Sequence, residues 1–309
     1  MIRLLVIANA GAGSSDDAVL DAALEVLRQG ADVEVAATGG PEELAGVLAA
    51  RDGREIVVAG GDGSIHAVMR ALHEAGEVPD DEALPIVSLL PLGTGNDLAR
   101  ALDLPLEDPR EAAAIILRNE PRRTDLITDS DGGVVVNAAH VGVGAEAGER
   151  AIPWKERLCK VKLGRLGYPI GAVSAMVGTR GWRLNVEADG RELAHGRERL
   201  LQVAVTNGSS VGGGAEIAPD ADAASGSMEV VISRTLRLTS RLHYGWKLRR
   251  GLHVELPDVE TTRAKSVTVT SLGRPFPVNS DGEMSDPVRS RTWTVHPGAF
   301  AMRVPPHSP

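Results

Sequence analysis

Through the first 123 residues, short apolar runs alternate with apolar positions spaced three and four apart. Leu4 to Ala8 and Ile56 to Ala59 are unbroken, and Pro85 to Leu90 is interrupted only by Ser88. Such runs predict strands buried on both faces. Asp32 to Thr38 alternates and predicts a further strand. Val19, Ala23, Val26 and Leu27 form a helical stripe, with Ser14, Ser15 and Asp16 as N-cap candidates and Gly30 closing it. Leu44, Val47 and Leu48 form a second stripe, opened by Pro41 and by Glu42 and Glu43, which suit the positive end of a helix dipole. Ile65, Val68, Met69 and Leu72 form a third, and Leu98 to Leu102 and Pro109 to Asn119 read as two more helices. This βαβα rhythm predicts a Rossmann-like, doubly wound parallel sheet.

The texture changes near Asp125. Val134 to Val136, Leu200 to Val205, Met228 to Ile232 and Val267 to Thr270 are β-rich, separated by turn signals such as Asp131-Gly132-Gly133, Asp189-Gly190 and Asp281-Gly282. A mostly antiparallel β-sandwich is expected here, interrupted by one helical excursion between about Ile152 and Val177. The predicted division is therefore an α/β domain over residues 1–124 and a β-sandwich domain over 125–309, with a return of the last residues to the first domain left open.

Composition narrows the classes. The chain has 309 residues and a net charge of −9, which argues against broad nucleic-acid binding. Aromatic residues are 3%, so the core must be Val, Leu, Ile and Ala. Cys159 is the one cysteine, which rules out an internal disulfide framework. No apolar run approaches the ~18–20 residues of a membrane span, and Leu4 to Ala8 is too short for a signal-peptide core. A cytoplasmic protein with peripheral membrane contact is expected. Two basic segments suit an anionic membrane surface or a solvated face: Lys155 to Arg165 after Trp154, and Arg234 to Arg250 around Tyr244 and Trp246.

Three stretches carry candidate chemistry. Gly60-Gly61-Asp62-Gly63-Ser64 joins an apolar strand to a helix, and a bare-backbone turn at a helix start is a natural phosphate site. It lacks the Lys of a Walker A loop and the glycine spacing of a dinucleotide fingerprint. Asp62 fits if Mg²⁺ bridges it to a nucleotide, or if it acts on the other substrate. Pro91-Leu92-Gly93-Thr94-Gly95-Asn96-Asp97 is a second such turn, with Asn96 or Asp97 as a plain N-cap in the simplest case. Parallel sheets gather these turns on one edge. Asp281 and Glu283 flank Gly282, and in an extended segment two such carboxylates project to one side. One could accept a hydroxyl proton while the other orients it or holds Mg²⁺.

Asn9 with Gly13, GGDGS at Gly60 to Ser64, GTGNDLAR at Gly93 to Arg100 and the late Asp281-Gly282-Glu283 occur in the order found in the diacylglycerol-kinase catalytic family, the lipid kinases that include sphingosine kinases. The chain resembles that family over nearly its whole length. Asn137 with Gly142 and Gly144, and Asn207-Gly208 with Gly212 to Gly214 and Pro219, fit its second domain. The resemblance implies ATP phosphates on Asn9, Ala10, Gly11, Ala12 and Gly13 and on Gly60, Gly61, Asp62, Gly63, Ser64, Ile65 and His66, with Thr38 and Thr94 also touching the nucleotide. It places Asp97 near the acceptor hydroxyl, in a cleft between the domains. The proton acceptor falls to the Asp281 and Glu283 pair, Glu283 first.

The sequence departs from the family in three places. Ala10 replaces a Pro, and Ser64 replaces a Thr. After Pro219, Ser225 stands where the family carries an Asp that helps to hold a structural Mg²⁺, leaving Asp222 as the neighbouring carboxylate that could substitute. The leading expectation is an ATP- and Mg²⁺-dependent kinase of a lipid hydroxyl, diacylglycerol first. A kinase of a soluble acceptor such as NAD or a polyol, and a nucleotide-binding regulatory protein without turnover, are the competing expectations. Oligomeric state is not legible.

Overall fold

The computed structural model describes residues 1–9, 14–79, 84–147, 175–176, 178–235 and 237–306. Ala10, Gly11, Ala12 and Gly13, the helical excursion over 152–177 apart from residues 175–176, Cys159 and the basic segment Lys155 to Arg165 lie outside the described residues. The chain divides into two compact units, Met1–Leu126 with His296–Pro309, and Ile127–Val295.

The first unit opens with β1 (Ile2–Asn9), α1 (Ser14–Gly30), β2 (Ala31–Thr38), α2 (Pro41–Ala49), β3 (Glu55–Gly60) and α3 (Asp62–Glu74). It continues with β4 (Val87–Pro91), α4 (Asp97–Ala101), α5 (Pro109–Arg118) and the start of β5 (Pro121–Asp129). The sheet order is β2-β1-β3-β4, parallel throughout. Leu4, Val6, Val57 and Leu90 pack with Ala23, Leu24 and Leu27 of α1 and Ala112, Ala113 and Ile116 of α5. Strand residues of the other parity, Leu5, Ile7, Ile56, Val58 and Leu89, are equally buried, as are Leu44 and Leu48 of α2 and Ile65, Val68, Met69 and Leu72 of α3. Helices thus cover both faces. Two local expectations are corrected. The α1 stripe runs through Leu20, Ala23, Leu24 and Leu27, while Val19 is exposed, because the i, i+3, i+4, i+7 set is centred one residue later. The helix also begins at Ser14, so Ser15 and Asp16 fall inside its first turn.

The last residues belong to this unit. Arg303 donates to both carboxylate oxygens of Glu55 at 2.8 Å and to the carbonyl of Asn119 at 2.6 Å. Ala301 donates its N–H to the Pro85 carbonyl, and Asp125 accepts the N–H of Gly298.

The second unit contains β6 (Val134–Val135), β7 (Ala138–Gly142), β8 (Leu184–Ala188), β9 (Arg191–His195), β10 (Gln202–Thr206), β11 (Ser210–Val211), β12 (Ala215–Glu216) and β13 (Met228–Ser233). The helix α6 (Leu238–Leu248) is followed by β14 (Val259–Ala264), β15 (Ser266–Ser271), β16 (Val278–Ser280), β17 (Glu283–Met284) and β18 (Ser290–Arg303). Two six-stranded sheets form, ordered β14-β13-β10-β7-β16-β17 and β6-β5-β18-β15-β8-β9. Their inward residues share one core: Val141, Val203, Val205, Val230 and Val278 of the first sheet meet Leu184, Val186, Val267, Val269 and Trp293 of the second. This is an antiparallel β-sandwich.

Candidate functional site

In the first unit the register of the parallel strands assembles one edge. Asn9 is paired with Thr38, Ala8 with Ala59 and Gly60 with Pro91. Asn9, Thr38 and the two glycine turns therefore leave the sheet at the same edge, as the right-handed βα connection requires. Asn9 and Thr94 are exposed there, and Thr38 is half-buried.

The two turns are locked together. A Cβ on Gly61 would sit 3.0 Å from the Cα of Gly93, and a Cβ on Gly93 would overlap Gly61 and meet the Asn96 Oδ1 at 2.8 Å, so both positions need glycine for close backbone approach. Asn96 adopts a left-handed conformation, φ 53°, which its short polar side chain tolerates. Its Oδ1 accepts the Gly93 N–H at 3.1 Å and its Nδ2 donates to the Gly93 carbonyl at 2.8 Å. The Asp62 carboxylate closes the pair, accepting the N–H of Asp97 and that of Leu98, each at 3.0 Å. Asn96 holds the N-cap position of α4 without a side-chain cap bond; the cap is supplied by Asp62, 35 residues upstream.

The helix α3 starts at Asp62 immediately after Gly61, so Gly63 and Ser64 lie inside its first turn. The Ser64 and Ile65 N–H groups donate to the Gly61 carbonyl, which leaves the N–H groups of Asp62 and Gly63 as the helix-start donors without an intrahelical acceptor. The Ile65 and His66 side chains are buried in the core. Asp97 is buried at the start of α4, its Oδ1 3.3 Å from Arg100 Nη1.

In the second unit the late acidic pair departs from expectation. Asp281 and Gly282 are the two central residues of the β16–β17 hairpin, with φ 51° and 96°, the combination a type I′ turn demands. The segment is not extended, so the argument that placed both carboxylates on one side does not hold. The Asp281 carboxylate accepts three backbone N–H groups, from Val136 at 2.7 Å and from Asn137 and Ala138 at 2.9 Å. Glu283 is exposed and pairs with Ser280 across the hairpin. The segment that Asp281 clamps is held again by asparagines: Asn207 Nδ2 donates to the Val136 carbonyl, and Asn137 Nδ2 to the Ser210 carbonyl. His140, one turn of the pleat further along β7, is buried, and burial lowers its pKa to about 4 against the opposite pull of Asp281.

At Asp222, Oδ1 accepts the Ala224 N–H and the Ser225 hydroxyl donates to the Ser227 carbonyl. Among the described residues no group of three His, Cys, Asp or Glu side chains converges to hold a metal, at Asp222 or elsewhere. A cavity of about 270 Å³ beside Trp182, rimmed by Arg180, Arg183, Arg199 and Arg274, contains none of the predicted site residues. No helix among the described residues is long and apolar enough to cross a membrane.

Sequence reasoning missed Asn96 as the tie of the second turn and read Asp62 as chemistry or as a solvated turn residue, not as a cap. The signal for the first was an Asn between Gly and Asp, a residue type that, after glycine, best tolerates a left-handed φ. The Asp62 cap had no local signal, because its partners lie 35 and 36 residues away.

Residues 3–128 match the model of the diacylglycerol kinase catalytic domain, and residues 137–304 that of the YegS C-terminal NAD kinase beta sandwich-like domain. A protein of Stenotrophomonas maltophilia (strain K279a) named "probable lipid kinase YegS-like" is 29% identical over 97% of this chain and 95% of its own length. A diacylglycerol kinase of Mycobacterium tuberculosis (strain ATCC 25618 / H37Rv) is 29% identical over 96% and 93%. A solved structure of a diacylglycerol kinase from Bacillus anthracis str. Sterne superposes with a TM-score of 0.75 at 22% identity, covering 99% of this chain and 97% of that one, a likeness of fold. With the interlocked glycine turns on one unit and the sandwich of the other both accounted for, the chain belongs to the diacylglycerol kinase catalytic-domain family and is a kinase of the lipid-kinase type.

Proposed function

We propose that this protein transfers the γ-phosphoryl group of ATP to the free hydroxyl of diacylglycerol. The observation that supports this best is the pair of glycine turns held edge to edge by Asn96 and Asp62. Phosphoryl transfer asks for positioning and charge neutralisation, and a rigid cradle of backbone N–H groups supplies both. The phosphates rest on Asn9 to Gly13 and on the Asp62 and Gly63 N–H groups, with Ser64, Thr38 and Thr94 as hydroxyl donors. Ile65 and His66 contribute through the helix backbone alone, since their side chains are buried.

Asp62 and Asp97 would hold a nucleotide-borne Mg²⁺, which asks for one or two carboxylates beside the phosphates rather than a protein cage and would supply neutralisation of phosphate charge. A second ion at Asp222 would have to be completed by neutral oxygens. Asp97 orients the acceptor hydroxyl. Glu283 takes the hydroxyl proton as the new P–O bond forms and the bond to the ADP oxygen breaks. Asp281, with three N–H donors on its carboxylate, positions the segment Val136 to Ala138.

Labelled ATP offered with diacylglycerol in mixed micelles, other lipid alcohols, NAD and a polyol tests the reading. Label in diacylglycerol is expected, dependent on Mg²⁺. Label confined to a soluble acceptor, or in none, would overturn it. Glu283→Gln should lower turnover about 100-fold or more with an unchanged melting temperature; full activity in that variant removes Glu283 as the base.

A further inference from the structure

The helix α6 carries a buried cation on its inner side and an apolar stripe on its outer side. Its cation Arg241 is buried and donates from Nη1 to the carbonyls of Thr179 at 2.8 Å and Met176 at 3.1 Å. Its apolar residues Leu238, Leu242 and Trp246 face outward, 49%, 49% and 55% exposed. They stand four residues apart and fall in one narrow arc of the helix. Leu252, just beyond the helix, is also exposed. The large exposed hydrophobics of the described residues concentrate here, and a solvated helix face does not look like this.

Charge completes the description. Arg237, Arg249 and Arg250 are exposed around this stripe, in a chain whose net charge is −9. The Arg250 guanidinium stacks 4.2 Å from the Trp246 ring centroid, and His243 packs edge-on against the same ring. Of the nearby acids, Glu255 is paired with Lys247 at 2.9 Å and Glu216 lies against Gly251. The opposite side of α6 is fixed to the sandwich, with Tyr244 fully buried and its hydroxyl accepting from Gln202 Nε2 at 3.0 Å. The face is therefore held rigidly outward.

We propose that this outer face of α6 docks the protein on an anionic lipid bilayer, Leu238, Leu242 and Trp246 entering the interface and Arg237, Arg249 and Arg250 meeting lipid phosphates. An aromatic ring with its cation at the headgroup level, beside leucines, is the chemistry of an interfacial helix. Basic side chains at its rim are complementary to an anionic surface. The inference rests on the lipid-kinase reading only for its purpose; the docking is independent of turnover.

Co-sedimentation without ATP tests it, using vesicles rich in phosphatidylglycerol against vesicles of phosphatidylcholine alone. The protein is expected to bind the anionic vesicles, and more weakly as salt is raised. Leu242→Ser with Trp246→Ser, and separately Arg249→Glu with Arg250→Glu, should each weaken binding about ten-fold or more, with melting temperatures unchanged because all four side chains are exposed. Equal binding by wild type and variants, or no binding of the wild type to either vesicle, overturns the proposal. Phosphorylation of diacylglycerol in mixed micelles separates the two readings: both variants should retain it. A protein that docks but phosphorylates no lipid would refute the kinase substrate alone, and one that phosphorylates micellar diacylglycerol but ignores bilayers would refute the docking alone.

Discussion

Asp62 and Asp281 both stand beside a glycine in a tight turn, and both hold main-chain N–H groups from a distant part of the chain. Asp62 opens a helix and caps a second one, taking two N–H groups. Asp281 sits in a left-handed hairpin position and takes three, from the bend between β6 and β7, 143 to 145 residues upstream. Two donors on four carboxylate lone pairs leave Asp62 capacity for a further ligand, and Asp62 is only half-buried. Asp281 is closer to saturation, while both carboxylates are half-buried and both sets of donors are buried. An aspartate in a glycine turn can thus be a staple, a ligand or both, and the number of its N–H partners separates the cases.

The sharpest way to break this comparison is to separate the two turns of the first unit. Gly93→Ala would force a Cβ into the backbone of Gly61, with no flexible side-chain end to yield. It is expected to cost about 3 kcal/mol, seen as a lowered urea midpoint, together with loss of nucleotide affinity by calorimetry. A stable variant with unaltered affinity would show that the turns need not touch.

The two aspartates themselves come next. Asp281→Ala orphans three N–H groups and should destabilise by about 2–3 kcal/mol, whereas Asp281→Asn keeps an acceptor oxygen and should retain much of the turnover. Asp62→Ala loses a helix cap, about 1 kcal/mol, yet should abolish turnover. Reversed outcomes, with Asp281→Asn inactive at full stability, would make Asp281 the base and Glu283 its accessory.

A smaller effect is a dependence of stability on pH. His140 has its pKa lowered by burial to about 4, below the 6.5 of an exposed histidine. The unfolded chain therefore binds more protons than the folded one between those values, so the stability that neutral His140 contributes is complete above pH 6.5 and is lost as pH falls toward 4. His253, also in the second unit, is shifted the same way by burial to about 4. At about pH 5.5 each should cost about 1 kcal/mol. Denaturation curves at neutral and mildly acid pH check this, and His140→Leu should flatten the dependence in part; an unchanged slope would mean that His140 does not titrate there.

Most elements were legible because they rest on near-neighbour chemistry. Ile56 to Ala59 reads as a buried strand and Ile65 to Leu72 as an amphipathic helix whatever surrounds them, and Asp108 caps α5 through N–H groups two and three residues on. The α1 stripe was misplaced because Leu20 and Val19 fit a 3.6-residue period almost equally well, and only the packing on β1 and α5 distinguishes them. The turn at Asp281-Gly282 is legible, since Asp-Gly is the strongest hairpin signal, but the placing of both carboxylates on one side assumes an extended segment, which the hairpin is not.

The sequence alone determined that a parallel α/β layer precedes an antiparallel sandwich, since periodicity and turn residues act within a few positions of one another. It also nominated the glycines and acids proposed for phosphate chemistry, as their residue types and spacing limit the options. Tertiary structure decided which of those acids are occupied by backbone. The Asp62 cap, the Asn96 tie and the Asp281 clamp each depend on atoms that only chain reversal brings within about 3 Å, and no local pattern encodes such a meeting.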